Sequence, residues 1–134
     1  MTQEIVELMQ ATMGELNERL GVVFVEASPE RVVATMPVEG NRQPYGLLHG
    51  GASVALGESL GSTLAALNCP DDRLAVGIEI NATHHRSATS GVVTAVATPI
   101  NVGRTLVTSE IVVRDDRDRR VCTIRLTCLL RDKR

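Results

Sequence analysis

One carboxylate stands alone in an apolar stretch of this chain. Between Gly46 and Asn68 the only formally charged residue is Glu58. On a helix, its neighbours three, four or seven positions away are all small or apolar, namely Val54, Ala55, Gly61, Ser62 and Ala65. We therefore expect Glu58 to be buried rather than solvated, and an acid in such a setting is typical of a catalytic site.

The start of the same helix predicts a second reactive group. His49 and Gly50 precede the helical run, at a position where backbone N–H groups have no partner within the helix and a ligand can approach a glycine closely. Glu58 lies eight residues past Gly50, about 12 Å along the axis at about 1.5 Å per residue, which is too far for both to touch one carbonyl. We therefore expect two copies to pack these helices antiparallel and share two sites, with Gly57 and Gly61 permitting the close approach.

Length and composition exclude several classes of function. At 134 residues the chain suits one domain, predicted over 1–134. A net charge of -2 and two aromatic residues, Phe24 and Tyr45, provide neither a nucleic-acid-binding patch nor a base-stacking platform. Glu58 inside the apolar run 47–67 argues against a membrane span, and the acidic, polar start predicts no signal peptide, so a cytoplasmic protein is expected.

The three cysteines do not predict a metal site or a disulfide. Cys69, Cys122 and Cys128 lack the spacing of metal ligands. Cys122 and Cys128 are six residues apart in a strand-like segment, so they share a face but lie too far apart to bridge. We expect all three to be small buried residues in a reducing compartment.

The hydrophobic pattern predicts a helix, two strands, a long helix and four more strands. The N-terminal helix is predicted at 4–20 as a packing or capping element, and the central helix from about His49 to Asn68. The strands are predicted at 21–27, 31–38, 74–86, 91–100, 105–114 and 120–131, with a solvated turn at 115–120. This order predicts an α+β fold in which one antiparallel sheet wraps around a mostly apolar helix, the hotdog architecture.

Three segments carry a family resemblance. They are QPYGLLHGGAS at 43–53, followed by Glu58 nine residues after His49, then VGIEINA at 76–82 and HHRS at 84–87. Together they closely resemble the hotdog-fold acyl-CoA thioesterases of the PaaI and 4-hydroxybenzoyl-CoA thioesterase type, which place a catalytic acid on the central helix. The resemblance is strongest to the subgroup that hydrolyses aryl-CoA or aryl-carrier-protein thioesters, including 1,4-dihydroxy-2-naphthoyl-CoA thioesterase and the enterobactin proofreading thioesterase.

The resemblance implies a role for each matching residue. Glu58 would be the general base or nucleophile, the Gly50 N–H would form the oxyanion hole, and Ser62 would orient water or the carboxylate. Gln43 and His49 would reach the thioester from the partner subunit. Coenzyme A contacts are implied at Gly77, His84, His85, Arg86, Ser87, Asn101, Val102, Gly103, Arg104, Thr105 and Leu106.

Several of these residues also have a purely structural interpretation. His49 could serve only as a helix cap, Gln43 could simply face solvent, and Arg86 and Arg104 could be ordinary surface arginines rather than phosphate ligands. Successive residues of a strand point to opposite faces, so only one of the adjacent pair 84 and 85 is expected at the site, and the family position favours His84.

The predicted function is hydrolysis of an acyl-CoA thioester by a homodimer, with a dimer of dimers implied by the family. Aryl-CoA, such as 1,4-dihydroxy-2-naphthoyl-CoA or hydroxybenzoyl-CoA, is favoured by the resemblance, and no metal or cofactor is expected besides the coenzyme A of the substrate. An acyl-carrier-protein thioester, a medium-chain acyl-CoA and a non-catalytic acyl-CoA-binding protein remain alternatives. The HFPGxPxxPG pattern of hotdog dehydratases and the GxSxG elbow of α/β-hydrolases are both absent.

Overall fold

The computed structural model describes residues 2–133 and confirms the α+β architecture. The described residues form three helices: α1 (Thr2–Ala11), α2 (Glu15–Leu20) and the central helix α3 (Gly50–Leu67). Six strands follow the predicted order: β1 (Val23–Ser28), β2 (Arg31–Pro37), β3 (Arg73–His84), β4 (Val92–Val102), β5 (Leu106–Arg114) and β6 (Arg120–Asp132). Within residues 2–133, none of the helices is long and apolar enough to cross a membrane.

The strands form one antiparallel sheet that wraps around α3. Its spatial order is β1-β2-β4-β5-β6-β3, so the chain leaves one side of the sheet after β2, passes through α3 and enters the other side at β3. Buried positions alternate with more accessible ones along β5 and the first half of β4, as a sheet covered on one face requires, and the second half of β4 is exposed. The helix residues Leu56, Leu60 and Leu64 are fully buried in this aliphatic core.

The small residues of α3 serve the packing of the helix on its own sheet. A Cβ built on Gly61 would lie 2.5 Å from Leu126 Cδ2, and one built on Gly57 would collide with Ile124. Both glycines are buried within the chain. The prediction that Gly57 and Gly61 permit close approach of a second helix is therefore wrong, because β6 already occupies that space.

The N-terminal segment contains two helices where one was predicted over 4–20. The break falls at Gly14, whose φ of +88° lies outside the helical region and is accessible mainly to glycine. The apolar spacing continues across the break, since Met9, Met13 and Leu20 are all half-buried against the core. Periodicity alone therefore gave no sign that the backbone changes direction.

The two edges of the sheet differ. At the β1 edge, the side chain of Gln10 accepts a hydrogen bond from Phe24 N–H at 2.8 Å and donates one to the Val22 carbonyl at 3.1 Å. A side-chain amide thus replaces a neighbouring strand and closes this edge. At the opposite edge, the 12-residue strand β3 pairs with β6 alone among the described strands, which leaves its other side open.

The 115–120 segment is the predicted turn, but it is not fully solvated. Asp115 is buried, with its carboxylate accepting hydrogen bonds from the backbone N–H groups of Arg117 and Arg119 and from the Arg119 guanidinium at 2.9 Å. Burial raises the pKa of the Asp115 carboxyl, and these hydrogen bonds and the guanidinium charge lower it by more, so its pKa lies below the usual value.

The cysteines are free, and two of them match the expectation of burial. Cys122 and Cys128 are buried in the core, whereas Cys69 is half-buried just beyond the end of α3. Burial raises the pKa of the Cys122 thiol to about 11.

Candidate active site

His49 caps the central helix. Its Nδ1 accepts a hydrogen bond from the backbone N–H of Gly51 at 2.8 Å, and its ring is otherwise exposed. Because a backbone N–H can only donate, Nδ1 carries no proton, and a neutral ring has its proton on Nε2. His49 therefore caps the helix, and the same bond leaves Nε2–H as an outward-facing donor.

Gly50 is the first residue of the helix, and its N–H donates to no acceptor in the described part of the chain. The ring of His84 lies directly against it, so that a Cβ on Gly50 would be 3.0 Å from His84 Nε2. The glycine thus admits both the imidazole and a ligand to an N–H at the positive end of the helix.

Gln43 lies beside this N-terminus in a cavity of about 360 Å³. Its side-chain carbonyl accepts a hydrogen bond from the backbone N–H of Tyr45. The backbone N–H of Gln43 donates to the Leu47 carbonyl at 2.7 Å. The amide Nε2 has no acceptor among the described residues and is free to donate. The cavity is lined by Gln43, Leu47, Leu48, Gly50, Ser53, His84, His85, Arg86, Ser87, Ala88 and Val121.

Glu58 lies in a second cavity, of about 400 Å³, between α3 and the N-terminal helices. The cavity is lined by Met9, Thr12, Met13, Leu16, Asn17, Phe24, Ala55, Glu58, Ser59, Ser62 and Thr63. In the single chain Glu58 is exposed, which contradicts the expectation of a buried acid. Its neighbours on the helix are small, as the sequence indicated, but they leave the carboxylate open to solvent instead of enclosing it.

The N-terminal helices were predicted only to pack or cap, but they also line this cavity. The hydroxyl of Ser59, next to Glu58, donates a hydrogen bond to Asn17 Oδ1 on α2 at 2.8 Å. Met9 and Met13 supply apolar lining opposite the hydroxyls of Ser62 and Thr63. Their helical spacing indicated an apolar face, but nothing in the sequence showed that this face would border Glu58.

Glu58 is held near β3 and β6. A Cβ on Gly77 would lie 3.1 Å from Glu58 Oε2. Burial raises the pKa of the nearby Cys128 thiol, a hydrogen bond with Ser62 lowers it, and the Glu58 charge raises it, with a net upward shift. The carboxylate, Ser62 and the Cys128 thiol therefore form one cluster.

The segments expected to bind coenzyme A lie at opposite ends of β3. His84 ends the strand, and His84, His85 and Arg86 all line the first cavity, where His85 also shares a hydrogen bond with Thr123 at 2.8 Å. The expectation that only one of the two adjacent histidines lies at the site is therefore wrong, because the strand ends at His84 and strict alternation of faces does not continue beyond it. The 101–106 segment spans the turn between β4 and β5, where the Arg104 carbonyl accepts a hydrogen bond from Arg73 at 2.8 Å. Arg73 begins β3, so Arg104 lies at the start of this strand, whereas Arg86 lies just past its end. A single chain therefore does not bring Arg86 and Arg104 together.

Comparison with known proteins decides the family. The model of the thioesterase superfamily matches residues 45–122. The chain belongs to the thioesterase superfamily. It is 45% identical over 123 residues to the proofreading thioesterase EntH of Cronobacter sakazakii, covering 90% of each chain.

Solved structures of other superfamily members confirm the hotdog fold. A mutant thioesterase from Pseudomonas aeruginosa superposes with a TM-score of 0.91 at 39% identity, over 96% of this chain and 94% of that one. A mutant thioesterase from Staphylococcus aureus gives a TM-score of 0.84 at 33% identity, over 87% of this chain and 98% of that one. As a member of this superfamily, the chain is a thioester hydrolase.

Proposed function

We propose that this thioesterase hydrolyses acyl-CoA thioesters, with aryl-CoA as its first candidate, in sites formed between two copies of the chain in the cytoplasm. The main support for this proposal is the separation of the two cavities. The free N–H of Gly50 and the carboxylate of Glu58 belong to one straight helix but line different cavities. Eight residues of helix separate them by about 12 Å, so one thioester cannot contact both groups of one chain.

A two-fold dimer built on the open edge of β3 resolves this separation. Antiparallel pairing of two β3 strands satisfies their unpaired backbone groups and sets the His84 end of one strand beside the Arg73 end of the other. The first cavity of one chain is thereby placed near the Glu58 cavity of its partner. The same symmetry brings Arg86 towards Arg104 of the partner subunit, and two guanidinium groups suit the phosphates of coenzyme A.

The chemistry follows from the groups that such a site contains. The Gly50 N–H and the free Gln43 Nε2 donate hydrogen bonds to the carbonyl oxygen as it becomes an oxyanion. Glu58 of the other chain removes a proton from water that attacks the carbonyl carbon, or attacks that carbon itself to give a mixed anhydride that water then opens. In both routes the carbon–sulfur bond breaks, coenzyme A leaves as its thiol, and the reaction needs no metal or cofactor.

The spacing of two residues in a relative supports these roles. The Staphylococcus aureus protein was crystallised as two separate variants, one with alanine in place of a glutamine at position 32 and one with alanine in place of a glutamate at position 47, and these positions are 15 residues apart. Gln43 and Glu58 are also 15 residues apart.

The aryl preference comes from the sequence resemblance, and the relative named a proofreading thioesterase makes carrier-protein thioesters the second substrate class to test.

Thiol release from a panel of aryl-CoA, medium-chain acyl-CoA and aryl-carrier-protein thioesters tests the proposal. We expect aryl-CoA to give the highest kcat/KM, and Glu58→Gln and Glu58→Ala to lower kcat about 100- to 10,000-fold with dimerisation retained. Glu30→Gln, which removes an exposed carboxylate in the β1–β2 turn, is the control and should be unaffected. Full turnover without Glu58 would contradict the mechanism, and binding without turnover in the unmodified protein would indicate an acyl-CoA-binding role.

A further inference from the structure

Gly77 in the middle of β3 occupies a position where the backbone does not require glycine. Its φ is not in the left-handed region, unlike that of Gly14 and Gly21, and it lies inside the 12-residue strand β3. Glycine weakens a strand interior because it has no side chain to pack and loses more conformational freedom on folding. Strand formation alone would therefore favour almost any other residue here.

The space beside Gly77 is taken by the Glu58 carboxylate. A Cβ at this position would lie 3.1 Å from Glu58 Oε2 and 3.6 Å from Leu126 Cδ1. The first distance is shorter than a carbon and an oxygen atom normally maintain without a hydrogen bond, whereas the second is an ordinary contact. A side chain at residue 77 would thus meet the acid before it met the core.

The strand is also irregular at this point. Gly77 pairs with Cys128 of β6, and the register shifts before Glu79 pairs with Thr127, so that one extra residue, Ile78, bulges from β3. Bulges redirect the residues next to them and are common beside active sites. Here the bulge immediately follows the residue on which the carboxylate rests.

We propose that Gly77 is a positioning residue for Glu58, because the absence of its side chain allows the carboxylate to rest against β3. The proposal builds on the proposed role of Glu58 as base or nucleophile. A methyl group at residue 77 would push the carboxylate away from the strand by a few tenths of an ångström. A displacement of about 1 Å at a reacting group costs up to about 100-fold in rate, so this smaller shift should cost up to about 10-fold.

Gly77→Ala tests this role. We expect kcat to fall about 5- to 10-fold with KM within about twofold of the original value, because the reacting carboxylate moves while the rest of the site is kept. The melting temperature should stay constant or rise, since alanine suits a strand better than glycine. Light scattering on the eluted protein checks that the oligomeric state is unchanged.

A second variant separates positioning from other roles. Glu58→Asp shortens the acid by one methylene and withdraws it from residue 77, so adding Gly77→Ala in that background should cost less than about threefold. Equal losses in both backgrounds would overturn the proposal in favour of a structural role. A raised KM with unchanged kcat would overturn it in favour of a direct coenzyme A contact.

The outcomes also separate this inference from the proposed function. If the unmodified enzyme cleaves thioesters, Glu58→Gln is inactive and Gly77→Ala is fully active, the positioning role is wrong while the catalytic role of Glu58 stands. If the unmodified protein cleaves no member of the panel, both proposals are wrong.

Discussion

Gly61 of the central helix packs against Leu126 of β6, with room for a hydrogen atom but not for a methyl group. A Cβ at Gly61 would lie 2.5 Å from Leu126 Cδ2 and 2.9 Å from Ser109 Oγ. Alanine improves helix propensity by about 1 kcal/mol, but overpacking a close contact costs about 1–3 kcal/mol. We therefore expect Gly61→Ala to lower the free energy of unfolding by up to about 2 kcal/mol in urea titrations.

The control for this prediction lies on the same helix. Ala66 is exposed, so Ala66→Gly changes only the helix propensity and should lower the free energy of unfolding by about 0.5–1 kcal/mol. If Gly61→Ala instead stabilised the protein by a similar amount, the helix would not be in close contact with β6 at this point.

The closed edge of the sheet gives a second prediction. Gln10→Ala removes the hydrogen bonds to the backbone of Phe24 in β1 and of Val22 just before it, and should lower the free energy of unfolding by roughly 1–2 kcal/mol. Gln3 lies on the same helix and is exposed, so Gln3→Ala is the matched control and should leave unfolding unchanged. Equal stability of the two variants would show that the amide of Gln10 does not hold the edge.

The sequence was sufficient for the six strands and the central helix, but not for the break in the N-terminal helix or for the surroundings of individual side chains. Alternation and apolar spacing predicted six strands and the central helix, because these patterns report which face is buried. The exposure of Glu58 was missed, because counting neighbours along a helix does not show what covers it. The contacts of Gln10 with Val22 and Phe24 join residues 12 and 14 positions apart, and no local pattern indicates them.

Thiol reactivity tests the burial of the core cysteines. With a pKa of about 11, Cys122 has about one thousandth of its thiol ionised at pH 8. Cys128 is also buried with a raised pKa, whereas Cys69 is half-buried. Dithionitrobenzoate should therefore react quickly with one thiol in the native protein and with three in urea. Cys69→Ser should remove the fast phase, and two or more fast thiols in the native protein would contradict this placement.

Asp115 makes part of the stability depend on pH. Its pKa in the native protein lies below the ordinary value of an aspartate. The carboxylate therefore stabilises the fold above about pH 4, and this contribution is lost as the pH falls through the native value. Asp115→Asn should lower the melting temperature by several degrees at pH 7, and the difference should narrow towards pH 3. Asp116→Asn, at an exposed carboxylate, is the control, and a difference that did not change with pH would contradict the assignment.

A shared site makes a prediction that a site within one chain does not. Glu58→Gln and Gln43→Ala disable different cavities, so each homodimer should be nearly inactive. In a mixed dimer both substitutions fall in one of the two sites, and the other site is intact. Refolding the two variants together at equal concentration gives about half mixed dimers and should restore about a quarter of the original activity.

The control is each variant refolded alone, which should recover nothing. A mixture of two variants at one position, Glu58→Gln with Glu58→Ala, should also stay inactive, because every site then lacks its acid. If the acid and the amide of the same chain met at one thioester, every mixed dimer would carry one defect in each site and the first mixture would stay inactive as well. Recovery in the first mixture alone therefore locates Glu58 and Gln43 of one site on different chains.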